Sequence, residues 1–129
     1  MKHAREFRGE TLDAALSEAC SALNARFGEL RYEVGADDGD DVVVEAELDP
    51  VAVLGLFLSE TFKAGELEVT ARLEETDEAL EGELSGGDCG ILTGGGGRGL
   101  DSLQYLCNRV LNRRLERHLP VHLDSDGFK

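Results

Sequence analysis

Tryptophan is missing from this chain of 129 residues, and aromatic side chains of all kinds make up 5% of it. Aliphatic residues must supply most of any core, and a hydrophobic content of 41% is enough for one. Positive charge is scarce as well: 13 Lys and Arg stand against 27 Asp and Glu, for a net charge of −14. That balance argues against indiscriminate attachment to nucleic acid and against an anionic membrane surface. No apolar run approaches the roughly 18 residues of a membrane span, and no apolar segment opens the chain as a secretory leader would. The three cysteines, Cys20, Cys89 and Cys107, are an odd number without a C-x-x-C pair. They read as free thiols of a reducing compartment, each behaving as a small buried hydrophobe, and the cytoplasm is the expected location. No lysine lies between Lys63 and Lys129, which removes the P-loop pattern. No linker rich in Pro or Ser divides the chain, whose length suits one domain or two very small modules.

What is present has clear periodicity. Glu6–Arg8 reads as a short strand, and Thr11 as the cap of a helix over 12–25. Leu12, Ala15, Leu16, Ala19, Cys20 and Leu23 fall on one face of that helix. Leu30–Val34 and Val42–Leu48 read as a hairpin whose turn carries Asp37, Asp38, Asp40 and Asp41. Those aspartates lack the spacing and closing Glu of a calcium loop and read as a solvated turn. Asp49–Pro50 is a helix start, and Gly65 ends that helix. Strands are expected over Leu67–Leu73 and Ala79–Leu84, with Gly82 at a bulge, and a last short strand over Val121–Leu123. The fold class is therefore α+β: a β-α-β-β module over residues 1–48, then an α-β-β-α-α-β module over 49–129.

The second module is organised around Gly94, Gly95, Gly96 and Gly97. Four glycines in a row free the backbone for unusual φ values and let another backbone approach. The helix behind them starts near Arg98, so its first N–H groups face whatever comes to the loop, which favours an anion. Leu100, Leu103, Cys107, Val110 and Leu111 make its apolar face, widened by Leu106 and Leu115. Arg109, Arg113 and Arg117 form a ridge beside that face, and Arg98 returns to the same side. Residues 98–117 hold five arginines against Asp101 and Glu116, the one basic segment of the chain. Arginines also gather near helix C-termini because the dipole favours them there.

Other motifs fade on inspection. Gly94, Gly96 and Gly99 satisfy G-x-G-x-x-G, but the βαβ context of a dinucleotide site is lacking. His118 and His122 flank Pro120, which breaks their helical spacing, and no third ligand is evident. Ser85 and Ser102 have no base or orienting partner in the pattern. Neither an enzyme, a metal site nor a cofactor is expected.

A G-x-x-G between two helical segments, after a helix and two strands, resembles a KH domain, whose loop clamps the backbone of single-stranded RNA. The run Ile91 to Arg113 is similar to the KH domain of the bacterial Jag family, the SpoIIIJ-associated proteins. Leu100–Leu106 (LDSLQYL), Asn112–Arg113 and the closing Leu123–Phe128 (LDSDGF) carry the likeness. Phe7–Leu16 (FRGETLDAAL) is similar to the family's small N-terminal domain, so the resemblance extends over nearly the whole chain. Gly95 and Gly96 stand where the family has polar or basic residues. The family's C-terminal nucleic-acid-binding domain would follow residue 129 and is absent, as expected of a shortened form or a fragment. The two modules abut where many relatives have a long charged linker.

The resemblance implies a bacterial, regulatory RNA-binding protein of type II-like KH order, pairing with another KH protein or with itself. Gly94–Gly97 would admit about three or four nucleotides. Arg98 and the helix N–H groups would hold phosphates, and Arg109 and Arg113 would extend the charge. With so few aromatics, stacking should add little and sequence preference should be low. The alternative is a degenerate KH domain that docks a protein without binding RNA.

Overall fold

A computed structural model describes residues 1–125. Residues 126–129, and with them the end of the LDSDGF run, lie outside the described residues. Among the described residues the chain is α+β, with three α-helices and two three-stranded sheets. It divides into two units, Met1–Ala52 and Val53–Lys129.

In the first unit β1 (Arg5–Gly9) leads into α1 (Leu12–Leu23), and β2 (Leu30–Asp37) and β3 (Val42–Leu48) form a hairpin. The sheet is antiparallel with β3 in the middle. The Thr11 hydroxyl accepts from Ala14 N at 3.1 Å and caps α1 as expected. The helix stops short of residue 25 because Asn24 turns left-handed at φ 51°, a conformation Asn tolerates. Ala15, Leu16 and Ala19 pack with Phe7, Val42, Val44 and Ala46, so small helix residues meet branched strand residues. β2 runs on to Asp37, past the expected Val34, and confines the turn to residues 38–41 with Gly39 at φ 90°. The acidic tip builds this turn: the Asp37 carboxylate accepts from Gly39 N, and Asp41 pairs with Arg8 at 3.0 Å.

The second unit opens with most of α2 (Pro50–Ala64), whose start is capped by Asp49 accepting from Val51 N at 3.0 Å. At its end Glu66 turns left-handed at φ 54° while Leu67 N reaches back to Phe62 O at 2.8 Å. This helix-closing motif consumes Leu67. Glu68 N then donates to the Asp88 carboxylate at 2.6 Å. Neither residue is left to pair in a sheet, so β4 is Thr70–Glu75 rather than Leu67–Leu73. β5 (Leu80–Ser85) pairs antiparallel with β4 and parallel with β6 (Val121–Ser125). The ladder runs through Gly82 without a break, so the expected bulge is absent. Gly82 is there for a packing reason: a Cβ would lie 2.6 Å from a Leu123 methyl and 2.9 Å from a Leu73 methyl.

α3 (Cys89–Leu115) loses helical geometry at Gly94–Gly97, leaving one turn over 89–93 and a long helix over 98–115. The two parts meet closely at Gly99, where a Cβ would stand 3.1 Å from Leu92 Cα. Leu100, Leu103, Cys107 and Leu111 are buried along the long helix. Its flank holds β6 through side-chain amides. Asn108 donates to Val121 O at 2.9 Å and accepts from Val121 N at 2.8 Å. Asn112 does the same for Leu119 O and Leu119 N, and Gln104 accepts from Leu123 N at 2.8 Å.

The cysteines are free, with Cys89 and Cys107 buried and Cys20 half-buried. Burial pushes the Cys107 thiol up to about 12, so it stays protonated and unreactive. Under native conditions a thiol reagent at pH 8 should therefore label one site fast, and Cys20→Ser should remove it. All sites should label in urea; fast native labelling of Cys107 would show the helix–sheet packing to be loose.

Candidate nucleic-acid interface

Gly95, Gly96 and Gly97 follow one another at φ 65°, 82° and 85°. Gly94 before them is extended at φ −61°, ψ 156°. Three successive left-handed residues explain why nothing but glycine fills this loop. The helix that follows presents the free N–H groups of its first turn at this loop, a place that favours anions. The space outside is open: a Cβ at Gly94, Gly95 or Gly96 would meet nothing within 4 Å. Gly97 is buried, while Gly94, Gly95, Gly96 and Arg98 are exposed.

The structure sorts the expected site residues into a stripe rather than a cluster. Counting along the helix, Arg109 lies about 20° around from Arg98 and about 16 Å further on. Arg113 is turned by about 60° and lies one turn beyond. Both are exposed. Arg117 leaves the ridge assigned to it, because the helix ends at Leu115 and Glu116 turns left-handed at φ 55°. The cause is the Asn112 side chain, which grips Leu119 and bends the chain back. Leu106 also departs from its assignment to the apolar face, since it is 49% exposed.

Asp101, exposed on the same helix and about 60° around from Arg98, is one carboxylate beside the arginine stripe. Glu66 closes α2, Glu83 is in the middle of β5, and the Glu68 carboxylate stands 3.6 Å from the Cβ position of Gly87. His122 pairs with Glu81 at 3.1 Å, and His118 is exposed. Among the described residues no helix is long and apolar enough to cross a membrane.

Two features went unseen in the sequence. Ile91, just before the loop, is 64% exposed, and Tyr105 is 60% exposed with the Arg109 guanidinium 5.9 Å from its ring centre. Helical spacing from Arg98 places Tyr105 on the arginine side, the sequence signal that points to it.

No family model matches the chain. It is similar to the RNA-binding protein KhpB of Clostridium symbiosum, with 37% identity over 75 residues. The match takes in 57% of this chain, less than the near-complete likeness read from the motifs, and 34% of the relative. This chain thus spans about a third of the length of the curated relative it matches.

Proposed function

We propose that this chain binds single-stranded RNA, clamping the sugar-phosphate backbone at Gly94–Gly97 and along the helix that follows. One observation carries the reading: Gly95, Gly96 and Gly97 are left-handed in succession, the first two open to solvent, and they feed the N-terminus of an arginine-rich helix. Phosphates find N–H donors and the positive end of a helix dipole there, and Arg98 supplies a full charge. Arg109 and Arg113 carry the attraction on along the same side. The net charge of −14 then acts on the rest of the surface, favouring one groove over indiscriminate contact.

Two further points support the reading. The relative KhpB is named as an RNA-binding protein. The order α2, β4, β5, two helical segments and β6, with β5 and β6 parallel, is consistent with the α-β-β-α-α-β order expected of a type II-like KH domain. In this proposal residues 49–129 are the KH domain and residues 1–48 a Jag N-terminal-like module. A regulatory role in a bacterial cytoplasm, and pairing with another KH protein or a second copy, follow from the same resemblance.

The test is fluorescence anisotropy with a pool of short single-stranded RNAs from low to moderate salt. With three phosphates neutralised, the log–log slope should be about −2, at roughly −0.7 per phosphate. Arg113→Ala should make the slope shallower by about 0.7. No binding at low salt would overturn the proposal and turn the search to a protein partner.

A further inference from the structure

An aromatic ring left in water on a helix is open surface that the fold has not used. Tyr105 is the one aromatic residue of α3, and it is 60% exposed. Its position is not arbitrary. Arg98, Ser102, Tyr105 and Arg109 follow the i, i+4, i+7, i+11 pattern of a single helical stripe. At the helical rise, Tyr105 stands about 10 Å beyond Arg98 and about 6 Å short of Arg109. Tyr105 therefore lies between two arginine positions along the helix that starts at the glycine loop.

Arg109 also holds the ring. Its guanidinium lies 5.9 Å from the ring centre and donates to the Tyr105 hydroxyl at 3.3 Å. This pair orders the tyrosine before any ligand arrives, so less side-chain freedom is lost on binding. It also leaves the guanidinium beside the ring, where it can reach a phosphate.

Resting on the RNA reading above, we propose that Tyr105 is a base-stacking residue of the site. It takes the base of a nucleotide whose flanking phosphates are held toward Arg98 on one side and Arg109 on the other. Every base has a π-face, so the contact tolerates any sequence but favours those that stack best, the purines. The scarcity of aromatics in the chain as a whole therefore does not remove stacking from this site. The competing account is that Tyr105 and Arg109 are merely a helix-stabilising i, i+4 pair. It gives Tyr105 no part in RNA affinity.

The experiment uses the full chain with oligo(A) and oligo(U) RNAs. Tyr105→Leu removes the ring and keeps apolar bulk, whereas Tyr105→Phe keeps the ring and removes the hydroxyl. Tyr105→Leu should weaken oligo(A) binding about tenfold, with an unchanged salt slope because no charge is lost. Tyr105→Phe should stay within about twofold. The chain has two tyrosines and no tryptophan, so Tyr32→Phe leaves Tyr105 as the only strong intrinsic fluorophore. Its emission should be quenched as oligo(A) is added. If wild type binds RNA while Tyr105→Leu binds equally well and emission does not change, the stacking role is overturned and the RNA reading stands. If wild type binds no RNA at all, the RNA reading fails and takes this inference with it.

Discussion

Asn108→Leu is expected to lower the stability of the second unit by about 3 kcal/mol, although it replaces a polar residue with an apolar one of similar size. In this structure Asn108 acts as a missing β-strand. Its amide meets both the N–H and the C=O of Val121, at 2.8 and 2.9 Å. Leu80 N bonds Pro120 O at 2.8 Å, so the even-numbered residues of β6 face β5 and the odd-numbered ones face outward. Outward groups would ordinarily form an open sheet edge. Gln104, Asn108 and Asn112 close it at Leu123, Val121 and Leu119. The geometry works because four residues of helix rise about 6.0 Å while two residues of strand rise about 6.6 Å. Side chains four apart on α3 thus meet backbone groups two apart on β6. Leucine would strand one donor and one acceptor, each costing about 1–3 kcal/mol. Two readouts check this. The urea midpoint, followed by far-UV circular dichroism, should fall with little change in m. The Val121 amide should lose protection from hydrogen exchange more than amides of β5. An unchanged midpoint would mean that water replaces the side chain at no cost.

This ladder also shows why part of the fold was legible in the sequence and part was not. Periodicity located α1 and β3, and local capping chemistry located both ends of α2, because these depend on neighbours in the chain. The start of β4 was misplaced because Leu67 has two plausible uses, and the closing turn of α2 outcompeted the sheet for it. Gly82 could not be explained from sequence, since its reason is the approach of Leu73 and Leu123 from two other strands. The amides at positions 104, 108 and 112 are a visible i, i+4, i+8 series, yet nothing in one sequence says that a strand edge lies opposite. Among the proposed site residues, the glycine loop was readable because four adjacent glycines have few other uses. The loss of Arg117 from the arginine ridge was not readable, because helical counting continues past a stop made by Asn112 from outside the local pattern.

Replacing Gly95 and Gly96 together with Asp is expected to weaken RNA binding at least a hundredfold at low salt, the largest single loss foreseen for the site. Two effects have to be separated. Left-handed φ values of 65° and 82° cost a non-glycine residue about 1–2 kcal/mol each. That cost falls on folding, and Asp and Asn bear it better than other residues. No clash adds to it, because the Cβ positions face open space. The second effect is electrostatic. Two carboxylates would stand where phosphate oxygens approach, and a like-charge pair at about 4 Å near a protein surface is opposed by about 4 kcal/mol. Gly95→Asn/Gly96→Asn separates the two, since it has the same strain and nearly the same shape but no charge. Its affinity should stay within about tenfold of wild type, the residual loss reflecting the narrower approach to the loop backbone. Thermal melts of the two variants should nearly coincide, showing that any difference in affinity arises at the loop and not from unfolding. Equal binding by the Asp and Asn variants, with both folded, would remove phosphate from the loop. RNA, if bound at all, would then lie further along the helix, near Tyr105 and Arg109, away from the glycines.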